Sequence, residues 1–266
     1  MPYITKKDIV LPKRAASSHK GDNGKLLIIG GSKDYVGAVA LAGIAALRTG
    51  VDWVTVAVPE KVGWAINALS PDLVVKKYKG DDFCASRAKD ILKEEKGYST
   101  VLIGNGIGMH AKTFCKKYIR ESTKTLIIDA DAIKSISLQD VDNAILTPHH
   151  GEFEILLKNS RLTITNYKKY LRNNTLLLKG KVDQIITKDK TFYNKTGNPG
   201  MTKAGTGDVL AGLAAGFKAQ GLTNTQSAIN ASYINGVLGD MLLKKHKGYS
   251  YIASDLLIDA KRLCSP

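Results

Sequence analysis

Short apolar runs recur along the chain and alternate with longer segments in which apolar residues have helical spacing. This alternation predicts a mostly parallel central sheet with helices on both faces. The predicted strands are 25–29, 51–58, 73–78, 100–103, 125–128, 144–146 and 175–178, followed by a hairpin of 184–187 and 191–194. The predicted helices are 36–49, 62–69, 83–96, 111–120, 152–158, 163–172, 206–219, 223–245 and 254–262, the last with Ser254 as its N-cap.

Nearly every predicted strand ends in glycine, acidic, histidine or lysine residues. In open α/β sheets, ligands bind at the carboxyl ends of the strands. These strand ends therefore indicate a binding site along one edge of the sheet. The segments are Gly30-Gly31-Ser32, Gly104-Asn105-Gly106-Ile107-Gly108, Asp129-Ala130-Asp131, Thr147-Pro148-His149-His150-Gly151-Glu152 and Lys179-Gly180.

The segment 197–216 begins as a glycine-rich loop and continues as a predicted helix of small and apolar residues. Gly205 and Gly207 lie at this junction, where free N–H groups and the helix dipole favour a phosphate or a developing anion. Asp208 follows in the first turn and is suited to accept a proton from an alcohol that attacks a phosphoryl group. The alternative is that Asp208 only caps the helix and the glycines only make a tight turn.

Other polar side chains at strand ends have two interpretations each. Asp129, Asp131 and Glu152 are candidates to order Mg²⁺ through water, or they cap helices. Lys179 is placed to meet a nucleotide phosphate, or it is a solvated surface lysine. His149 is a candidate binding residue, or a hydrogen-bonded structural residue of its loop.

The composition is that of an ordinary globular protein, with 266 residues, 44% hydrophobic and 24% charged. We expect one domain over residues 1–266 without a membrane span. Three scattered cysteines, and an N-terminus without a following apolar segment, favour the reducing cytoplasm. The net charge of +15 is spread along the chain, which indicates solvated lysines and attraction for anionic substrates. We expect no nucleic acid as a main partner.

Several well-known motifs do not occur in the sequence. It has no P-loop, and the glycines at 104, 106 and 108 do not have the dinucleotide-binding spacing. The metalloprotease and serine-hydrolase motifs do not occur either.

Taken together, the motifs resemble those of the NAD(P)H-hydrate dehydratase family, which has a ribokinase-like fold. The likeness covers nearly the whole chain, with one departure at Asn105, where the family usually has proline. Its motifs are Ser18-His19-Lys20-Gly21, Gly30-Gly31-Ser32, Tyr35-x-Gly37-Ala38, Ala45-Ala46-Leu47-Arg48-x-Gly50, Asp129-Ala130-Asp131-Ala132, Thr147-Pro148-His149-x-Gly151-Glu152, Lys179-Gly180 and Gly205-Thr206-Gly207-Asp208-Val209-Leu210.

The resemblance implies a repair reaction, in which hydrated NADH or NADPH is dehydrated at the expense of ADP or ATP, with Mg²⁺. It implies that the ring hydroxyl is phosphorylated and that phosphate then leaves. The implied catalytic group is Asp208, with Gly205 and Gly207. The implied hydrate site contains Ala38, Gly106, His149 and Asp208. The implied nucleotide site contains Lys179, Gly180, Lys181, Val182, Asp183, Asn198, Pro199, Gly200, Met201, Thr202, Lys203, Ala204, Gly205, Thr206 and Gly207.

The resemblance also implies a homo-oligomer, a homotetramer or larger, and a functional link to an NAD(P)H-hydrate epimerase that we expect to be a separate protein. Two alternatives remain open at this point. One is a small-molecule alcohol kinase of the same fold, acting on a hydroxymethylpyrimidine or a thiazole. The other is a nucleotide- or nucleic-acid-binding protein without turnover. The sequence does not distinguish ADP from ATP, or NADH-hydrate from NADPH-hydrate.

Overall fold

A nine-stranded sheet forms the centre of the protein in the computed structural model, which describes residues 3–264. The four terminal residues of the predicted domain 1–266 lie outside this range. The sheet has the order β3-β2-β1-β4-β5-β6-β7-β8-β9, with β1 to β7 parallel and β8 and β9 antiparallel. The strands are β1 Lys25–Ile29, β2 Trp53–Pro59, β3 Val74–Tyr78, β4 Thr100–Ile103, β5 Thr125–Ile128, β6 Ile145–Leu146, β7 Thr175–Leu178, β8 Asp183–Ile186 and β9 Thr191–Asn194.

Helices cover both faces of the sheet, which confirms the predicted three-layer α/β architecture. One face carries α1, α2, α7, α8 and α9, and the other carries α3 to α6. The helices are α1 Val36–Arg48, α2 Glu60–Leu69, α3 Arg87–Glu94, α4 Lys112–Glu121, α5 Ala130–Ile133, α6 His150–Ser160, α7 Thr206–Ala219, α8 Asn224–His246 and α9 Ala253–Ala260.

The apolar runs of the strands supply two hydrophobic cores. In β1, Leu26 and Ile28 belong to one core, and Leu27 and Ile29 belong to the other. All four are at most 1% exposed. Because successive side chains of a strand point to opposite faces, a continuous apolar run is what a sheet covered on both sides requires.

Helix α7 is buried between α1, α8 and the sheet, and small residues permit its close contact with α1. A Cβ at Gly212 would lie 2.2 Å from the carbonyl oxygen of Ala42, and one at Gly216 would lie 2.8 Å from that of Ala46. The small and apolar residues of α7 are therefore used inside the domain. This close packing fixes the start of α7 at the carboxyl edge of the sheet.

Three local predictions were wrong or too long. The helix expected over 163–172 is only a 3₁₀ turn, Tyr167–Tyr170, because little of this segment is apolar enough to be buried against the sheet. Ser254 lies inside α9, whose N-cap is Ile252, and the Asp255 carboxylate accepts the Ile252 N–H. The helix expected over 83–96 is shortened to α3, with a 3₁₀ turn after it.

The strand order reverses between β1 and β4, since β1 to β3 run to one side and β4 onward to the other. Such a switch point opens a crevice at the carboxyl ends of the two strands. The loops after β1 and β4 meet at this switch point and are joined by a hydrogen bond of 2.8 Å from the Gly31 N–H to the Asn105 carbonyl.

Candidate active site

Helix α7 begins at the carboxyl edge of the sheet, directly after a left-handed glycine. Gly205 has φ of 93° and is the N-cap. The first backbone bond of the helix is donated by the Val209 N–H to the Gly205 carbonyl, at 3.0 Å. The N–H groups of Gly207 and Asp208 precede that bond, in the turn where a helix binds anions.

Asp208 does not cap this helix. Its Oδ1 accepts a hydrogen bond of 2.7 Å from the amide of Asn105, across the edge of the sheet. Burial raises the pKa of Asp208 to about 7, and the negative charge of Asp129 adds to that rise. The hydrogen bond from Asn105 and the charge of Lys179 oppose it. A carboxylate with a pKa near neutrality is well matched to general-base catalysis.

Lys179 follows β7 and lies within a cluster of carboxylates. Its Nζ is 3.0 Å from Oδ1 of Asp129 and 3.9 Å from Oε2 of Glu152. Burial alone would lower the pKa of Lys179, but these two carboxylates outweigh burial and raise it. The side chain is 20% exposed, so Lys179 is a charged group of the site rather than a solvated surface lysine.

Lys179 also lies beside the start of α7. Apart from its chain neighbours and the backbone of α7 itself, a Cβ placed on Gly207 would have Lys179 Nζ as its only neighbour within 4 Å, at 3.5 Å, among the residues described. The ammonium group and the first turn of α7 thus present positive charge to the same small region. A phosphoryl group carries its negative charge on several oxygens, which this combination is suited to stabilise.

The predicted hydrate-site residues Ala38 and Gly106 lie together at the crevice between β1 and β4. Gly106 has φ of 63°, and a Cβ on it would lie within 3 Å of Tyr35 and of the Ala38 methyl group. The third residue, His149, precedes α6, and its neighbour Pro148 accepts the Lys179 N–H at 2.9 Å. All three therefore lie along the carboxyl edge that carries Lys179.

His149 and Glu152 form a reciprocal cap at the start of α6. The Glu152 N–H donates to Nδ1 of His149 at 3.3 Å, and the His149 N–H donates to Oε2 of Glu152 at 3.0 Å. Glu152 therefore caps a helix and His149 is a hydrogen-bonded residue of its loop, as the structural interpretations of these two residues predicted. Nε2 of His149 also lies 3.4 Å from Oε1 of Glu152, but the side chain is 58% exposed, so the ring is still accessible to a ligand.

The segment 179–183 is a tight turn between β7 and β8. Oδ1 of Asp183 accepts the Gly180 N–H at 3.0 Å, and Oδ2 accepts the Ser232 hydroxyl at 2.7 Å. The carboxylate of Asp183 is therefore used inside the protein. Lys181 is exposed and Val182 is half-buried, so these two residues form the accessible part of the turn.

The segment 198–204 is a 3₁₀ turn, Pro199–Thr202, followed by an extended approach to α7. Asn198 caps this turn, since its Oδ1 accepts the Gly200 N–H at 3.0 Å. The same oxygen accepts the Tyr251 hydroxyl at 2.6 Å, and Nδ2 donates to Asp240 at 3.1 Å. The contacts of Asn198 with Asp240 and Tyr251 were not predicted. Asp240 lies within α8 and Tyr251 lies just before α9, and neither belongs to a recognisable motif.

Other residues of this segment are used for internal contacts. The ammonium group of Lys203 donates to the carbonyls of Tyr249 and Tyr251. The Thr206 hydroxyl donates to the carbonyls of Met201 and Lys203. Thr202 and Ala204 are exposed. The charge of Lys203 thus holds the segment 249–251, whereas Thr202 and Ala204 lie on the accessible side.

The three predicted magnesium-ordering carboxylates are not grouped. Asp131 pairs with Lys134 at 2.8 Å and accepts the Gly108 N–H at 3.1 Å, whereas Asp129 and Glu152 lie around Lys179. Within residues 3–264, no three His, Cys, Asp or Glu side chains lie close enough to hold a metal ion. Water-mediated binding of Mg²⁺ through Asp129 or Glu152 stays a prediction.

Two further residues of the site, Thr147 and Asn105, were not selected as site residues from sequence, and both donate hydrogen bonds to Asp129, which was selected. Asp129 is 2% exposed, and its Oδ1 accepts the Thr147 hydroxyl at 2.7 Å. Its Oδ2 accepts the Asn105 amide at 2.9 Å. Both residues could have been selected because each follows a buried strand. Asn105 was noted only as a departure from a family pattern.

The nine-stranded sheet with this helix start at its carboxyl edge places the protein in the ribokinase-like class. A family model described as NAD(P)H-hydrate dehydratase matches residues 26–262. The chain belongs to that family.

Two curated relatives illustrate the match. The chain is 39% identical over 264 residues to the bifunctional NAD(P)H-hydrate repair enzyme Nnr of Methanothermobacter thermautotrophicus, which covers 93% of this chain and 51% of the relative. It is 34% identical over 259 residues to the ADP-dependent (S)-NAD(P)H-hydrate dehydratase of Cenarchaeum symbiosum, which covers 92% of this chain and 90% of the relative. The chain thus spans about half the length of the bifunctional relatives it matches.

A solved structure shows the same fold over nearly the whole length. The ADP/ATP-dependent NAD(P)H-hydrate dehydratase of Bacillus subtilis, co-crystallized with ATP and Mg²⁺, superimposes with a TM-score of 0.81. It is 26% identical, and the match covers 99% of each chain. No helix within residues 3–264 has the length and apolar character needed to cross a membrane.

Proposed function

We propose that this protein dehydrates hydrated NADH and NADPH, using ADP or ATP as phosphoryl donor. The observation that carries the proposal is the half-buried carboxylate of Asp208, in the first turn of α7 and beside the Lys179 cluster. Membership of the family and the relative named as an ADP-dependent dehydratase support the choice of reaction.

Asp208 acts as the general base of the first step. It accepts the proton of the hydroxyl group on the hydrated nicotinamide ring while that oxygen attacks the terminal phosphorus of the donor. The bond from phosphorus to the bridging oxygen breaks, and AMP leaves from ADP, or ADP leaves from ATP. The phosphorylated ring then eliminates inorganic phosphate, and the ring double bond forms again. A pKa of about 7 leaves a substantial fraction of Asp208 ionised at neutral pH.

The transferring phosphoryl group is stabilised by positive charge already present in the protein. The N–H groups of Gly207 and Asp208 supply the partial charge of the helix start, and Gly205 supplies the left-handed turn before it. Lys179, held beside Gly207 by Asp129, supplies a full charge. Such pre-positioned charge is usually the largest contribution to phosphoryl-transfer catalysis.

The oxygen donors at this edge are compatible with a magnesium ion that arrives with the nucleotide. Mg²⁺ keeps several of its waters and is commonly bound through one or two carboxylates together with substrate phosphates. Asp129 and Glu152 would hold those waters, whereas Asp131 is already paired with Lys134. When bound, the ion neutralises charge on the donor phosphates.

We place the nucleotide along the segments 179–183 and 198–207, whose accessible residues include Lys181, Val182 and Thr202. The hydrated ring then lies beside Ala38, Gly106 and His149, with Asp208 between the two subsites. Ala38 and Gly106 pack against each other and present little side-chain bulk at this edge, which suits a flat ring. Rates measured with ADP and with ATP, and with NADH-hydrate and with NADPH-hydrate, will show which donor and which substrate the enzyme prefers.

Product identification tests the reaction against its nearest rival. The protein is incubated with NADH-hydrate or NADPH-hydrate, Mg²⁺ and ADP or ATP, and phosphorus NMR follows the products. We expect inorganic phosphate and AMP or ADP in equal amounts. A stable phosphorylated alcohol formed from a hydroxymethylpyrimidine or thiazole, without any reaction of the hydrates, would instead assign the protein as a small-molecule kinase.

We further propose that the enzyme is a cytoplasmic homo-oligomer of one domain over 1–266, linked in function to an NAD(P)H-hydrate epimerase. The link is suggested by the bifunctional relatives of about twice this length. Light scattering after size-exclusion chromatography tests the oligomer, for which we expect a homotetramer or larger. A monomer at micromolar concentration would contradict that expectation.

A further inference from the structure

Asn105 lies in the loop after β4 and is completely buried. Its carbonyl oxygen accepts the Gly31 N–H, which joins the two loops at the switch point of the sheet. The backbone of Asn105 is therefore held by the loop after β1. Its side chain extends toward Asp129 and Asp208, which are 24 and 103 residues further along the chain.

The amide of Asn105 bridges two carboxylates. Nδ2 donates one hydrogen bond of 2.9 Å to Oδ2 of Asp129 and another of 2.7 Å to Oδ1 of Asp208. Both hydrogens of the NH₂ group are thus used. An ionised carboxylate only accepts hydrogen bonds, so this orientation of the amide is the one that suits two carboxylates.

One end of this bridge is rigid. Oδ1 of Asp129 accepts the Thr147 hydroxyl at 2.7 Å and the Lys179 ammonium group at 3.0 Å. Asp129 therefore holds Asn105, and Asn105 in turn holds Asp208. The other oxygen of Asp208, Oδ2, accepts no hydrogen bond from residues 3–264, which leaves it to receive the proton of a substrate hydroxyl.

The contacts of this side chain are made by its NH₂ group and not by its oxygen. Its Oδ1 is buried without a hydrogen-bond partner among the described residues. An unsatisfied buried acceptor destabilises a protein, because it loses its hydrogen bonds to water without replacement. An apolar side chain of the same size would fill the space without that cost, so the amide is explained by what it does to the two carboxylates.

We propose that Asn105 is a positioning residue that fixes the carboxylate of Asp208 through Oδ1 and leaves Oδ2 available as the base. The inference rests on the proposed function, since it assigns Asp208 as the group that accepts the hydroxyl proton. Asn105 itself need not touch the substrate. Its contribution is the orientation of Asp208 and the stabilisation of the ionised form by a donated hydrogen bond.

The first test replaces the amide by a side chain of similar size without donors, Asn105→Leu. We expect kcat to fall roughly 10–100-fold, because a misoriented base loses about that much rate, while the KM for ADP or ATP changes less than about twofold. Asn105→Gln keeps an NH₂ donor and recovers part of kcat. An unchanged kcat in Asn105→Leu would overturn the proposal.

Asn224→Leu is the matched control for the loss of a buried amide. Asn224 is also buried with an unsatisfied Oδ1, and its Nδ2 donates to Asn143 at 2.9 Å. It begins α8 at the other end of the sheet, beside the start of β7. We expect a change in thermal stability without a change in kcat. An equal loss of kcat in both variants would mean that Asn105 acts only through stability.

A second measurement does not require the reaction. Carbon-13 NMR of the labelled carboxyl groups follows the titration of Asp208 in the wild type and in Asn105→Leu. The charges facing Asp208 are those of Asp129, Glu152 and Lys179, and they remain in both proteins. We expect the Asp208 titration to move to higher pH in the variant. If the titration shifts but the wild-type protein does not act on the hydrates, the role of Asn105 in positioning Asp208 stands and the proposed function is refuted. If the titration does not shift, the role of Asn105 is refuted.

Discussion

The ammonium nitrogen of Lys179 lies 3.0 Å from Oδ1 of Asp129, so a cation at the end of β7 is held by a carboxylate at the end of β5. The strand between them, β6, is followed directly by Thr147, whose hydroxyl donates to the same oxygen of Asp129. Three strand ends thus meet at one buried carboxylate. This arrangement keeps Lys179 charged and directed toward the start of α7.

Lys179→Met should weaken the binding of ADP more than the binding of the hydrate. A charge-assisted hydrogen bond contributes about 1.5–3 kcal/mol, which corresponds to a roughly 10–150-fold rise in Kd. Isothermal titration with each ligand measures the difference. Lys188→Met, which removes an exposed lysine from the β8–β9 turn, is the control and should bind ADP as the wild type does. Equal binding of ADP by both variants would remove Lys179 from the nucleotide site.

The rate of dehydration should fall at acidic pH. The base must be ionised, and burial raises the pKa of Asp208 in the free protein to about 7, so kcat/KM for the hydrate should decline as the pH decreases below about 7. The measurement is kcat/KM for the hydrate between pH 5 and 9, under conditions in which the protein remains folded. A rate that stays constant down to pH 5 would contradict ionised Asp208 as the base.

Asp208→Asn should stabilise the protein most at alkaline pH. The folded-state pKa of Asp208, about 7, lies above its ordinary value of 3.8, so the folded state binds the proton more tightly. The contribution of Asp208 to stability therefore decreases as the pH rises from about 4 to about 7 and stays low above that.

A neutral asparagine removes this destabilisation. We expect the Tm to rise at pH 8, by roughly 2–4 °C for each kcal/mol recovered, and the rise to be smaller at pH 5. Differential scanning calorimetry at the two pH values is the measurement. A larger gain at pH 5 than at pH 8 would show that Asp208 is not destabilised by burial in the folded protein.

Ala38→Leu should obstruct the hydrated ring. The Ala38 methyl group is half-buried and faces Gly106 across the crevice, where a larger side chain takes up space. Overpacking of this kind amounts to about 1–3 kcal/mol, so the KM for the hydrate should rise roughly 5–150-fold. The KM for ADP, measured in the same experiment, should stay within twofold. A rise in the KM for ADP alone would place the nucleotide at Ala38.

The strands and the glycine-rich start of α7 were predictable because they depend on local patterns. β1 is a continuous apolar run, and Gly205 precedes a helix of small residues, which is what a buried sheet and a tightly packed helix require. The segment 163–172 misled the prediction. It contains helix-compatible residues, but only Tyr167 and Leu171 are buried, and a helix without a wide apolar face gains little from packing.

The contacts within the site were less predictable, because they join distant parts of the chain. The sequence indicated Asp129, Lys179 and Asp208 as separate strand-end residues. That Asn105 would join Asp129 to Asp208 depends on the order β1-β4-β5, which no local pattern fixes. The hydrogen bonds that Lys203 donates to the carbonyls of the segment 249–251 likewise join parts of the chain that no local pattern brings together.

The most direct test of the account measures the absorbance of reduced nicotinamide when hydrated NADH or NADPH is mixed with Mg²⁺ and either ADP or ATP. We expect the wild-type protein to restore the absorbance only when a donor is present, and Asp208→Asn, folded equally well, to do so roughly 10²–10⁴-fold more slowly. No recovery with either donor by the folded wild-type protein, or full recovery by Asp208→Asn, would contradict the account.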